Sequence, residues 1–238
     1  MFAVFKKEFN NFFAGIIGYV VVGLFLLFNG LLLWYFKGNW NIFNIGFADL
    51  QAFFDMVPWL MMVLIPAITM RMFSDEYTTG TIEILKTRPL TAWQVVFGKF
   101  LAGLAVVFLS LIPTILYAIS ITRLALPEKI DFGPIIGAYL GLFFVATVFT
   151  SVGLFTSLLF KNQVIAFLSG LILNFILYYA FEQMSIWDNS LPAFIQKIGV
   201  IEHYKSISRG VLDSRDLVYF ASVSFLFLWW SKEKFSKN

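Results

Sequence analysis

The chain has no cysteine, which excludes disulfides, thiolate nucleophiles and cysteine-ligated metals. It has one histidine, His203, too few for a histidine metal cluster. Charge is scarce: lysine, arginine, aspartate and glutamate make up 13% of 238 residues, against about 25% in a soluble domain. No G-x-x-x-x-G-K-[ST] phosphate loop occurs, and Gly98-Lys99 is an isolated pair at a helix start. No lysine or arginine cluster forms a nucleic-acid surface. The apolar runs do not alternate, which excludes a β-barrel.

What fills the sequence is apolar. Hydrophobic residues supply 60% of it, 30 of them phenylalanine. Mean hydropathy is +0.83. Long apolar runs joined by short polar links predict an all-α polytopic membrane protein with six spans. The first run follows Lys6 and Lys7, as in a signal peptide, but it is too long for an h-region and no small-residue cleavage site follows; a retained helix is expected.

Residues 2–13 place Phe2, Phe5, Phe9 and Phe12 at helical spacing, with Lys6, Lys7 and Glu8 between them. This predicts an amphipathic helix in the membrane interface, its basic residues toward headgroups. Spans are expected over 14–36, 56–73, 95–122, 132–160, 163–181 and 217–231. Pro58, Pro66 and Pro113 are expected to kink the second and third. The last run is short for a bilayer, which takes about 20 apolar residues. Lys161-Asn162 is a turn so short that the fifth span must return antiparallel.

With the N-terminus inside, 10 of the 17 lysines and arginines fall on the inner side. The positive-inside rule then places both termini in the cytoplasm.

The inner link 74–90 reads SDEYTTGTIEILKTRPL. Gly80 can begin a short helix, Glu83 suits its N-terminus, and Lys86 and Arg88 suit its end. Pro89 stops it, and Thr91 with Gln94 forms a capping box for the third span. A short helix held between two spans can transmit force to both; a solvated turn would need the same polar residues.

The pattern Glu76, Gly80, Thr81, Glu83, Leu85, Pro89, Gly98 and Lys99 resembles the permease subunits of ABC-2-type transporters. Gly46-Phe47-Ala48-Asp49-Leu50, Leu64-Ile65-Pro66-Ala67 and the stretch Ser208 to Asp216 make the likeness most similar to the GldF-type permease of bacterial gliding-motility systems. The resemblance runs over essentially the whole chain. It implies a permease in the bacterial cytoplasmic (inner) membrane, with no cofactor of its own and with ATP and magnesium used by a partner. It implies a GldA-like ATPase, a GldG-like auxiliary membrane protein, and a second permease half that is a copy or a different subunit. It makes 2–13 and the 74–90 link the parts that touch the ATPase, with Glu76, Gly80, Thr81, Glu83, Leu85 and Pro89 carrying the coupling. No catalytic residue is expected.

Gly133, Gly137 and Gly141 recur every fourth residue and form a strip where a helix can approach closely, either within the chain or from a second permease. In the outer stretch 182–216, Leu191, Phe194, Ile198, Ile201, Tyr204, Ile207 and Val211 recur at helical spacing, interrupted by Gly199 and Gly210. Re-entrant or interfacial helices are expected there, acting as a gate or a passive cap. Asp213 or Ser214 is expected to cap the last helix.

Other classes fit less well. A membrane enzyme needs buried acids, bases or ligands inside a span, and His203 lies in the outer stretch. An ion-coupled transporter places ionisable groups near mid-membrane, whereas the span centres here carry none. Asn29 and Asn174 are expected to hydrogen-bond between helices, and Tyr178 and Tyr179 to sit in an aromatic belt. A membrane anchor or assembly subunit without transport of its own is the alternative to a permease.

Overall fold

A computed structural model describes residues 1–38, 40–45, 49–124, 132–187 and 197–237. Among them no strand occurs. Helices satisfy backbone hydrogen bonds within one segment, the condition a bilayer imposes. The elements are α1 (Phe2–Ala14), α2 (Ile16–Gly30), α3 (Ile42–Ile45), α4 (Gln51–Thr69), α5 (Arg71–Thr78), α6 (Thr81–Thr87), α7 (Ala92–Leu111), α8 (Ile115–Leu124), α9 (Phe132–Leu159), α10 (Gln163–Phe175), α11 (Phe181–Trp187), α12 (Val200–Ser208) and α13 (Ser214–Lys237).

Five helical stretches among the described residues are long and apolar enough to cross a membrane: Ile16–Tyr35, Gln51–Thr78, Ala92–Arg123, Phe132–Leu159 and Gln163–Met184. The second starts five residues before the position expected from hydropathy, at Gln51, because Asp49 accepts from the Gln51 backbone N–H and Gln51 holds Asp55 on the next turn. It continues through α5 with a turn at Met70. The third bends at Ile112–Thr114, a 3-10 turn around Pro113, whose ring nitrogen has no N–H to donate. The run expected as a sixth span lies in α13, a helix of 24 residues that is not among the five, its ends being polar. The Asp213 carboxylate accepts from the Arg215 N–H at 2.9 Å, so Asp213 rather than Ser214 starts this helix.

The α9 helix is the axis of the bundle, packed against α4, α5, α7, α10, α12 and α13. Its neighbours come close because small residues face them. A Cβ on Gly153 would overlap Thr69, and one on Gly103 would press on Met72 and Thr150. The strip of Gly137 and Gly141 is covered from within the chain. A Cβ on Gly137 would lie 2.5 Å from the Ile207 carbonyl oxygen, and one on Gly141 would lie 2.9 Å from the Tyr204 ring. Gly133 lies beside Gly210, whose own Cβ would meet the Gly133 carbonyl carbon at 3.3 Å. The strip therefore receives α12 of the same chain.

In the outer segment the spacing holds for Ile201, Tyr204 and Ile207, which share α12, whereas Ile198 and Val211 lie outside that helix and α11 precedes the spaced residues. Gly199 precedes α12, and Gly210, at φ +85°, turns the chain out of it. Val200, Ile201, Tyr204 and Ile207 are buried, and the Tyr204 hydroxyl donates to the Phe54 carbonyl at 2.7 Å. Burial raises the Tyr204 pKa well above the usual tyrosine value, so it stays a neutral donor. Leu191 and Phe194, like Gly46, Phe47 and Ala48, lie outside the described residues.

Two polar expectations fail. Asn29 donates to the Phe25 carbonyl of its own helix at 2.7 Å, and the Asn174 side-chain amide has no hydrogen-bond partner among the described residues. Tyr178 is core rather than belt: it is buried and its ring meets Trp59 and Phe149 edge-on.

Candidate functional site

The inner link folds as a helical hairpin. Thr79 hydrogen-bonds the Asp75 carbonyl through both its N–H and its hydroxyl, which closes α5. Gly80 follows at φ +71°, ψ 3°, in the left-handed region where a side chain is strained. That one residue reverses the chain into α6. Arg88 is extended, as a residue before proline must be, and α6 ends there. Thr91 then caps α7: its hydroxyl accepts from the Gln94 N–H at 3.3 Å and Gln94 returns the bond at 3.1 Å.

This short helix has two faces. Ile82 is buried and Leu85 packs against the core, which pins α6 to the bundle. Thr81, Glu83, Ile84, Arg88 and Pro89 are exposed. Ile84 is 58% accessible, an apolar side chain at the centre of a charged face.

The root of the hairpin is tied down in several directions. Ser74 donates to the carbonyls of Ser157 and Phe160 at the end of α9. Asp75 accepts from the Gln163 amide at the start of α10. Glu76 turns inward, away from the exposed face, into a cluster of four charges: Lys7, Glu8, Glu76 and Lys99.

Lys99 is the centre of that cluster. It is fully buried on α7, about two turns inside a spanning helix. It lies 2.8 Å from Glu8 and 3.0 Å from Glu76, donates to the Met72 carbonyl at 2.5 Å, and sits 4.8 Å from the centre of the Phe73 ring. A single ammonium thus joins α1, α5 and α7. Lys7 stands outside it, 3.0 Å from Glu76 and 3.6 Å from Glu8. Its side chain is half exposed. Burial pulls its pKa down, but the hydrogen bond and charge of Glu76, then the charge of Glu8, outweigh that and leave it raised.

Two cations and two carboxylates leave the cluster neutral, which is why it can be buried at all. Its satisfaction is incomplete. The second carboxylate oxygen of Glu76, Oε2, is buried without a hydrogen-bond partner among the described residues. Packing against α1 requires a small residue on α7, and Gly98 supplies it: a Cβ there would lie 2.9 Å from that of Val4.

Of the residues singled out in the sequence, Gly80, Thr81, Glu83, Leu85 and Pro89 all fall on one hairpin, whereas Glu76 belongs to its root. Sequence reasoning named Lys99 only within the family pattern and Glu8 only as a polar residue of the first helix, gave neither a role, and sent Lys7 toward headgroups. The available signal was Lys99, the one lysine in the apolar run from Val95 to Thr122.

His203, placed by the sequence in the outer stretch, joins α12 to α13. Its Nδ1 lies 2.6 Å from Asp216, its Nε2 2.9 Å from the Lys197 carbonyl, and its ring stacks on Tyr219 at 3.9 Å. This is a structural clasp on the outer segment, remote in sequence and contact from the hairpin.

No curated protein matches the chain. A family model described as ABC-2 family transporter protein matches residues 2–211, which include the hairpin, the charge cluster and the five apolar stretches. A membrane-spanning bundle that carries this match over most of its length is a membrane component rather than an ATPase, and the chain belongs to the ABC-2 transporter family.

Proposed function

We propose that this chain is the permease subunit of a complex powered by a separate ABC ATPase, and that the complex serves gliding motility of the GldF type. The reading places the chain in the bacterial cytoplasmic (inner) membrane with both termini in the cytoplasm. Its partners are a GldA-like ATPase, which holds ATP and magnesium, a GldG-like membrane protein and a second permease half.

One observation carries the coupling part of this reading. The exposed face of α6, with Glu83, Ile84 and Arg88, projects from a root tied to α1, α7, α9 and α10. An ATPase seated on that face would push a rigid lever, not a loose loop. Gly80 and Pro89 keep the lever short, and Ile82 and Leu85 join it to the core. Closure of two ATPases would move α6, and α6 would tilt α4–α5 and α7 together.

The test is a pull-down from native membranes followed by an ATPase assay of what accompanies the chain. A co-purifying ATPase that is lost on Glu83→Lys, with membrane insertion intact, is the expected result. Glu83 is exposed, so the substitution leaves packing untouched. Association and activity unchanged by Glu83→Lys would remove α6 from the coupling path. A chain that purifies alone in several mild detergents would make it an anchor without an ATPase.

A further inference from the structure

A cavity of 390 Å³ lies between α1, the Gly15 elbow, α4, α5 and α7, beside the charge cluster. One part of its wall is apolar, with Phe12, Ile17 and Ile68; another is charged, with Lys7, Arg71 and Asp75. It sits toward the end of the α4–α5 stretch, where apolar residues give way to the charges of Arg71 and Asp75, as at a boundary between acyl chains and headgroups.

The charges on this wall do not all balance internally. Glu8 and Glu76 are matched by Lys99 and Lys7. Arg71 is exposed and has no ion-pair partner among the described residues. Asp75 has the Gln163 amide but no cation among the described residues. These two are four residues apart on α5, so they share a face with about 5–6 Å between Cβ atoms, yet they do not pair. One open cation and one open anion beside an apolar wall match a zwitterion that carries a hydrocarbon chain.

We propose that this cavity binds a phospholipid with a phosphoethanolamine headgroup. The phosphate sits on Arg71, with Lys7 beside it, and the ammonium sits on Asp75. The start of an acyl chain covers Phe12, Ile17 and Ile68. An anionic lipid without an amine would leave Asp75 uncompensated, and a headgroup without chains would leave the apolar wall wet. The lipid lies against α1 and α5 at once, and so against the joint between the interfacial helix and the hairpin.

The full chain, delipidated in detergent, is titrated by native mass spectrometry with phosphatidylethanolamine, phosphatidylglycerol and glycerophosphoethanolamine in turn. Phosphatidylethanolamine is expected to bind at least about tenfold more tightly than the other two, the worth of one hydrogen-bonded charge contact. Arg71→Gln should weaken it by a similar factor, and Asp75→Asn should bring the two lipids to parity. Ala67→Phe, which fills the apolar part without changing charge, should remove both lipids. Equal or tighter binding of phosphatidylglycerol by the unaltered chain overturns the proposal. So does glycerophosphoethanolamine binding as well as the lipid, which would mean a soluble headgroup site. Unchanged lipid binding by Arg71→Gln also overturns it. Should a variant fail to fold, the comparison of ligands on the unaltered chain decides alone.

Discussion

Replacing Lys99 with methionine keeps much of the side-chain length and removes the charge. Glu8 and Glu76 then lose the ammonium that lies within 3.0 Å of each. Both carboxylates are nearly buried, at 11% and 8% side-chain exposure, so water does not replace it. Breaking a buried pair by removing one partner costs about 3–5 kcal/mol. Lys7 remains 3.0 Å from Glu76, which puts the expected loss near the lower end, about 3 kcal/mol. Lys7→Met is the contrast. That side chain is 51% exposed, and solvent screening reduces its contribution to about 0–1 kcal/mol. A third variant, Lys99→Met with Glu76→Gln, removes one charge of each sign. It should recover part of the loss, because a buried pair replaced as a unit is far less costly than one broken. The measurement is the unfolding midpoint in one detergent, followed by tryptophan fluorescence. Lys99→Met no worse than Lys7→Met, or a double variant no better than Lys99→Met, would refute the view that Lys99 is the neutralising centre.

Two further outcomes are expected. Gly137→Ala places a Cβ 2.5 Å from the Ile207 carbonyl oxygen and 2.8 Å from the Gly210 Cα, so it should destabilise the chain by about 1–3 kcal/mol; Gly23→Ala, with nothing within 4 Å, should be neutral or gain up to about 1 kcal/mol, and equal shifts in the same assay would contradict the intrachain packing of α12. Lys7 has a folded pKa above its ordinary 10.5, so the stability it contributes is fully present below 10.5 and is lost as pH rises through the raised value. The difference in melting temperature between the unaltered chain and Lys7→Gln should therefore be flat through neutral pH and shrink only above about pH 10.5; a difference that grows there would show the sign to be wrong.

The hairpin was legible because its signals are local. Gly80, Pro89 and the pair Thr91 and Gln94 each set backbone within three or four residues, and α6 and the start of α7 follow from them. The apolar runs were legible for the same reason, since a bilayer imposes length and composition on each helix separately. The cluster was not. Glu8, Glu76 and Lys99 are 68, 23 and 91 residues apart in pairs, and nothing in any one segment states that they meet. Periodicity gave Glu76 to the link and Glu8 to a solvated face. Only packing, with Val4 against Gly98, brings α1 down onto α7 and makes both carboxylates ligands of one ammonium. The glycine strip shows the converse: its spacing predicted a close helix, but spacing carries no information on whether the helix comes from the same chain.

A cluster that served stability alone would have little reason to be ionic, since apolar residues of similar volume are as good or better. Nor would it leave Glu76 Oε2 buried and unpartnered among the described residues. The cost makes sense if the cluster is a joint. Its four groups come from α1, α5 and α7, which are the N-terminal helix, the root of the hairpin and the helix after the hairpin. Apolar surfaces slide past one another with little directional preference, whereas an ammonium between two carboxylates resists separation of either. Under the proposed coupling, a partner that presses on α6 moves α5 and α7, and through Lys99 and Glu8 it also draws on α1. A partner that presses on α1 reaches the hairpin by the same two bonds. The interfacial helix and the coupling hairpin are then not two independent contacts but two arms of one lever, and neutralising Lys99 would separate them while leaving both helices in place.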